Sequence, residues 1–437
     1  MAVALAGVGL KFTPLTIAFP LAVVVFVAGF FFAPLRKEIH HRRKPVRETT
    51  AYKWSRFIQR RPWSAAVAGA VALLVLALPV LGLRLGFSDE SNYAEDTTTR
   101  KAYDLLVQGF GPGFNGPLLL VARVPDGVDL ADLDAIDEAA AADPGVVFVS
   151  PAQPDDSENP TAVLWNLIPT TGPQDEATTD LVKRLRDEVL LPAERAAGVD
   201  VQVTGTQAVN VDFSQYLSDR MPYLFAAVLG LSFLLLMLVF RSLLVPLKAV
   251  IMNVLSVSAA YGIVVALFQW GWLSDVTGVE PAPIEPWAPM MLFAIVFGLS
   301  MDYEVFLLSR VREEWRRTGD SRESVADGLA ATAKVITAAA AIMVFVFGSF
   351  ILEQDRVTKL MGTGLAAAIL LDATIVRMLL VPPPWSSWGI GTGGCRGGWS
   401  ASCRSWTSRA TPSTGSPKPR PRSSAWSADR RARRPTA

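Results

Sequence analysis

The chain has 437 residues, 51% of them hydrophobic and 19% charged, with a net charge of +1. An ordinary soluble domain carries about a quarter charged residues, so this balance points to a membrane protein, and a charge near zero gives no field that would draw nucleic acid. Two histidines, two cysteines and no Walker A motif leave little for a zinc site, a haem, a disulfide framework or nucleotide-driven pumping, so no cofactor and no metal is expected.

Apolar runs of about 20 residues, long enough to cross a hydrocarbon layer of about 30 Å, recur along the chain. Seven spans are predicted, at about Phe12–Ala33, Ser64–Leu83, Pro222–Phe240, Pro246–Trp270, Ala288–Leu308, Val335–Leu352 and Leu360–Val381. The first contains Pro14 and Pro20 and is the least regular. It lacks a basic leader and a small-residue cleavage site, so it does not read as a cleavable signal peptide. Arg36 to Arg61 is densely basic and predicted cytoplasmic, as are the turn with Arg241 and Lys248 and the stretch Arg310 to Lys334. Leu85 to Asp219, rich in acids, and Gln269 to Trp287 then fall outside. The expected location is a plasma membrane crossed several times, with the C-terminus cytoplasmic and membrane lipids as neighbours.

The outer segment is far too long to be a linker. Strands are predicted at Leu118–Val124, Val146–Ser150, Ala162–Ile168 and Val199–Val203, with helices at Leu130–Ala142 and Asp175–Ala197. The order β-α-β-β-α-β is the split βαβ, ferredoxin-like arrangement. The fold class is therefore a polytopic α-helical membrane protein of about six or seven transmembrane helices with one α+β ferredoxin-like domain outside. Gly111-Pro112-Gly113-Phe114-Asn115-Gly116 spells G-x-G-x-x-G, but it follows a predicted helix and precedes a strand, the reverse of a dinucleotide site.

The fifth span holds the most informative residues, Phe297-Gly298-Leu299-Ser300-Met301-Asp302-Tyr303-Glu304. Intramembrane acids cost a few kcal/mol and are functional by default. Hydrocarbon penalises the charged form of a carboxyl, which suits Asp302 to binding and releasing a proton. Tyr303 cannot face Asp302 on its own helix, so its hydroxyl should reach a neighbouring one. Gly298 and Asp302 share a face at i, i+4, which predicts close helix approach there. The plainer alternative is an acid near the cytoplasmic end, paired with Arg310. Asp372 and Arg377 lie in the last span, five residues apart, a separation that does not align on an α-helix. Arg377 is expected to snorkel inward, and Asp372 to find its partner on another helix, as a structural ion pair or as part of a relay. Glu313, Glu314, Arg316 and Arg317 read as a solvated, headgroup-facing stretch of helix.

Phe297 to Glu314, FGLSMDYEVFLLSRVREE, resembles the signature of the MmpL-type branch of the resistance-nodulation-division transporters. Val239-Phe240-Arg241-Ser242-Leu243 with Pro246-Leu247-Lys248 resembles that family's turn between its eighth and ninth helices. Gly109 to Pro117 and Leu371-Asp372-Ala373-Thr374 resemble family segments at their own positions. The resemblance spans about residues 50 to 383. It implies a porter-type role for the outer domain. It also implies that Asp302 and Tyr303 are the second of two Asp-Tyr pairs relaying protons, with Gly298 and Ser300 shaping the helix contact and Asp372 and Arg377 as supporting charges. The activity implied is export of lipids or other hydrophobic compounds driven by the proton motive force, and not an enzymatic reaction. One charge crossing 100 mV releases about 2.3 kcal/mol.

Two departures accompany the resemblance. The family has twelve helices in two pseudo-repeated halves, and this sequence reads as the C-terminal half. Its expected organisation is a membrane helix resembling the end of the first half at 1–35 and a basic cytoplasmic linker at 36–62. A transmembrane helix at 63–84, the ferredoxin-like domain at 85–219, a five-helix bundle at 220–383 and a basic Ser/Arg/Pro-rich tail at 384–437 follow. Relay and substrate path in such transporters lie between repeats. A separately encoded first half or a second copy would complete them, and a truncated, non-transporting membrane scaffold that binds lipid or a partner is the alternative. An intramembrane hydrolase is disfavoured, because the spans contain no histidine, no cysteine and no G-x-S-x-G elbow. The second departure is the tail, which holds both cysteines, Cys395 and Cys403, and Trp385, Trp388, Trp399, Trp406 and Trp426. Back-translated from Trp385 with GC-rich codons and read one base earlier, it gives MELLGDRNWWLPRWL, which resembles the family's continuation. A frameshift is therefore expected, in preference to a disordered basic tail lying on anionic lipid.

Overall fold

The computed structural model describes residues 62–380 except 126, 157–158, 241, 275–277 and 320. The span expected at Phe12–Ala33, the basic linker and the tail from 384, with its expected frameshift, lie outside the described residues. Six described helices are long and apolar enough to cross a membrane, which makes this a multi-pass membrane protein.

The described chain starts with helix α1 (Pro62–Ala77), continued by a tighter 3-10 turn to Gly82. Helix α2 (Thr98–Phe110) is capped by Thr97, whose side chain accepts from the Arg100 amide, and stops at Gly111, where φ is +92°. A short turn carries the glycine-rich segment into strand β1 (Leu118–Arg123). Helix α3 (Asp134–Ala141), strand β2 (Val146–Val149), a two-residue strand β3 (Gln153–Pro154) and strand β4 (Ala162–Pro169) follow. Helix α4 (Glu176–Arg184) passes through a π-turn at Leu185–Val189 into helix α5 (Leu190–Ala197), which ends on Gly198 in the left-handed region. Strand β5 (Val201–Thr204) closes a sheet of order β2-β4-β1-β5, with β3 also paired to β4 and every pairing antiparallel.

The strands form where residues alternate. Leu118, Leu120 and Ala122 of β1 are buried, as are Val163, Trp165 and Leu167 of β4, while the residues between them are partly open. Ile136, Leu181, Leu185 and Leu190 from the helices complete this core. Asp143, after α3, accepts two hydrogen bonds from Arg184 of α4, at 3.0 and 3.2 Å, and one from the Gly145 amide at 2.7 Å. The Arg184 guanidinium holds the Asp143 carboxyl below the usual carboxylate range, against the opposing effect of burial. A lowered folded value means stabilisation that is complete above the unfolded value of about 3.9 and lost as pH falls through the folded one. Protection of the Gly145 amide, its exchange measured relative to the intrinsic rate at each pH, should therefore fall on acidification below that point in the full chain. The Asp143→Asn variant should show no such step, and an identical step in both would rule the linkage out.

Gly205, at φ +101°, turns the chain from β5 into helix α6 (Thr206–Phe240). A Cβ there would sit 3.0 Å from the Pro117 carbonyl oxygen. Helix α6 runs without a break through 219–220, so the sheet domain passes into the bundle along one continuous helix, with Pro222 inside it. Helix α7 (Leu244–Val264) ends in a π-turn to Gln269. Helix α8 (Ala288–Thr318) continues nearly three turns past the apolar span expected for it, through its arginine-rich C-terminal end. Helix α9 (Ser321–Ser349) and helix α10 (Arg356–Leu371), which continues as a π-helical segment to Leu380, complete the bundle. Small residues bring these helices together. A Cβ on Gly262 of α7 would lie 1.8 Å from the Leu76 carbonyl oxygen of α1, and one on Gly364 of α10 would meet the Leu292 side chain of α8 at 3.0 Å.

Candidate functional site

Helix α8 has two faces. Phe293, Phe297, Ser300, Glu304, Leu307 and Val311 recur at helical spacing and are buried against the bundle. Gly298 and Asp302 lie on the other side, exposed, and Asp302 makes no hydrogen bond or ion pair with a described residue. The close approach expected at Gly298 is not made within the described chain, because a Cβ there would meet nothing within 4 Å. The hydroxyl of Ser300 makes the contact instead, donating to Asn253 Oδ1 of α7 at 2.9 Å. Arg310 does not take Asp302 as its partner; it pairs with Glu313 at 2.8 Å, one turn along the same helix.

The largest departure from expectation lies in α10. Asp372 and Arg377 were predicted to point apart, with Arg377 snorkelling to the interface. They form a direct ion pair, 2.9 Å from Nη2 and 3.0 Å from Nε, and both are buried. The cause is local: Asp372–Leu380 is wound as a π-helix, whose i→i+5 repeat stacks residues five apart. The same guanidinium donates from Nη2 to the Ser300 carbonyl oxygen at 2.7 Å, so it ties α10 to α8. Its Nη1 is buried without a partner among the described residues.

Tyr303 reaches a neighbouring helix, as its position requires. Its hydroxyl lies 3.5 Å from Met343 Sδ of α9, and the Arg377 guanidinium stands 5.1 Å from the centre of its ring. Two further residues complete the cluster. Glu304 is buried on the bundle face, where it accepts from Asn253 Nδ2 at 3.3 Å. Asn253 thus links Ser300 and Glu304. Sequence reasoning passed over both, although each left a signal. Glu304 falls on the apolar stripe of α8, where a carboxyl has no structural reason to be, and Asn253 interrupts an apolar span. The structure therefore gathers Ser300, Tyr303, Glu304, Asp372, Arg377 and Asn253 in the bundle interior and leaves Gly298 and Asp302 on an open face. Acids outnumber bases around this point inside the membrane, an arrangement able to hold, exchange or pass a proton. Among the described residues, no group of three or more His, Cys, Asp or Glu side chains is placed to hold a metal.

A second buried ion pair sits at the N-terminal end of α10. Arg356 donates to Glu285 Oε1 at 2.8 Å and to the carbonyls of Phe268, Ala282 and Pro283 at 2.9–3.2 Å. Glu285 Oε1 also accepts from the Ser88 hydroxyl at 2.7 Å. Beside it, Leu85 bridges to Ile284. The loop before α8, the start of α10 and the segment leading to the sheet domain are joined here.

The MMPL family model matches residues 135–421. The chain is 40% identical to membrane protein YdfJ of Bacillus subtilis, over 75% of this chain and 45% of that protein. It is 34% identical to the mycolic acid-containing lipids exporter MmpL11 of Mycolicibacterium smegmatis, over 76% of this chain and 35% of the relative. To the trehalose monomycolate exporter MmpL3 of Mycobacterium tuberculosis it is 31% identical, over 78% and 37% respectively. The chain thus spans less than half the length of these relatives. Buried charges inside apolar helices are what a membrane transporter needs, and a match over more than half of its residues makes this chain a member of the MMPL family.

Proposed function

We propose that this chain forms one half of a proton-motive-force-driven exporter of lipids or other hydrophobic compounds across the plasma membrane. The observation that carries the reading is the buried set of Glu304, Asp372 and Arg377, bridged by Ser300 and Asn253, in helices that cross the membrane. Ionisable groups so placed are retained for moving ions or protons. Asp302 carries the proton, Tyr303 orients or relays it, and Glu304 and Asp372 take it up in the bundle interior. The free Nη1 of Arg377 is a donor for a relaying water or a second carboxylate. Kinship with exporters named for mycolic acid-containing lipids and trehalose monomycolate supports a lipid cargo.

The outer segment acts as a ferredoxin-like, porter-type domain that guides cargo. Its strand order β2-β4-β1-β5, with helices between β1 and β2 and between β4 and β5, supports that assignment. The arginine-rich inner end of α8 supports an orientation with this domain outside. Residues 85–219 and 220–383 are then the working outer and membrane parts, joined by α6. No step of this scheme alters the cargo chemically.

A second reading, a membrane scaffold without transport, is favoured by the open face at Gly298 and Asp302. The test is Asp302→Asn in cells that export lipid through a transporter containing this chain. The proton relay predicts loss of export at unchanged expression. Unchanged export eliminates Asp302 as the proton carrier and favours a scaffolding part for this chain within the transporter.

A further inference from the structure

We infer that the inner ends of α6 and α8 form a binding site for the phosphate of an anionic membrane phospholipid. A cavity of about 440 Å³ opens there, with Val239 and Phe240 on one wall and Ser309, Arg312, Glu313 and the Arg316–Arg317 pair on the other. Two carboxylates on this stretch of α8 are already neutralised, Glu313 by Arg310 and Glu314 by Arg317, each at 2.8 Å. Arg312 and Arg316 stand one turn apart on the same face, and neither has a carboxylate partner among the described residues. Arg312 is held at the mouth of the cavity by its hydrogen bond to the Val239 carbonyl oxygen at 3.0 Å. A guanidinium fixed in this way keeps further N–H groups for a phosphate, which it binds in a two-pronged geometry.

The surroundings select a lipid over a free anion. The apolar run of α6 ends at Phe240, and the charged run of α8 begins after Ser309, so the cavity lies where hydrocarbon gives way to headgroups. Above it, Leu235, Leu238 and Val239 of α6 and Phe306 of α8 are exposed. That apolar wall suits acyl chains, with the two guanidiniums at phosphate level. Basic pockets between membrane helices at the cytoplasmic side take anionic headgroups by this combination. The site does not depend on export; only the leaflet that supplies the lipid follows from the orientation proposed above.

The test uses the full chain purified in a neutral detergent, with native mass spectrometry and thermal unfolding as readouts. The probes are phosphatidylglycerol, phosphatidylcholine of the same acyl chains, and inorganic phosphate. Phosphatidylglycerol should bind and raise the unfolding temperature at concentrations where the other two do not. Arg316→Gln, which leaves no group unpaired, should weaken that binding about five-fold, and Arg312→Gln with Arg316→Gln about twenty-five-fold. Arg123→Gln with Arg195→Gln removes the same charge from the outer domain and should leave it unchanged. Equal binding of phosphatidylcholine overturns the proposal, as does a shift with phosphate alone that matches phosphatidylglycerol. Undiminished binding to the Arg316→Gln variant overturns it as well.

Discussion

Replacing Arg356 with methionine lowers the stability of the chain by about 3–5 kcal/mol, the range found when one partner of a buried ion pair is removed. Arg356 and Glu285 are almost wholly buried, with side-chain exposures of 4% and 3%. Methionine fills most of the space but leaves the Glu285 carboxyl buried without its cation, and it takes a donor from three backbone carbonyls, of which Phe268 keeps the Ala282 amide. Ser88→Ala, which removes one neutral donor from the same carboxylate, should cost only about 1 kcal/mol. Replacing both Glu285 and Arg356 by apolar residues should recover much of the loss, because no stranded charge remains. Unfolding midpoints in mild detergent measure all of these. A midpoint for Arg356→Met equal to that of the parent would show that the junction of loop, α10 and sheet domain does not depend on the pair.

Arg377→Leu has a comparable cost, about 3–5 kcal/mol, and should also abolish export. The guanidinium serves Asp372 and the Ser300 carbonyl together, and without it Asp372 and Glu304 are buried acids with no cation partner among the described residues. Arg377→Lys keeps the charge, but a compact ammonium cannot span both acceptors, so part of the loss should remain. The informative variant replaces Asp372 and Arg377 by leucine together. A purely structural pair predicts recovery of stability and of export. A pair that belongs to the relay predicts recovered stability with export still absent. Unfolding midpoints and lipid export, measured on the same membranes, separate these outcomes.

The spans were legible because hydrocarbon leaves few alternatives: a long apolar run must form a helix that satisfies its own backbone. Five of the six described helices of membrane-spanning length begin or end close to the expected apolar windows, and α6 differs by starting directly after strand β5. Strands β1 and β4 were legible through the two-residue alternation of Leu118, Leu120, Val163, Trp165 and Leu167. The site was only half legible. Ser300 and Tyr303 were singled out from their motif and lie in the buried cluster, but the pairing of Asp372 with Arg377 could not be read, because the separation was judged by an α-helical repeat. The π-helical winding that aligns them has no local sequence mark. Glu304 was hidden by its neighbour: attention fell on Asp302, although only Glu304 continues the buried stripe of Phe297, Ser300 and Leu307. The Arg356–Glu285 pair was invisible for a different reason, since 71 residues separate its members and neither lies in a recognisable pattern.

Proton flux tests the central claim most directly. Vesicles containing a pH-sensitive dye and a transporter that includes this chain would be placed in an inward proton gradient. The parent protein should acidify the lumen faster than protein-free vesicles do. Asp302→Asn and Glu304→Gln, each inserted at the parent level, should fall to the protein-free rate. Parent-like flux through both variants would contradict a proton relay in this bundle.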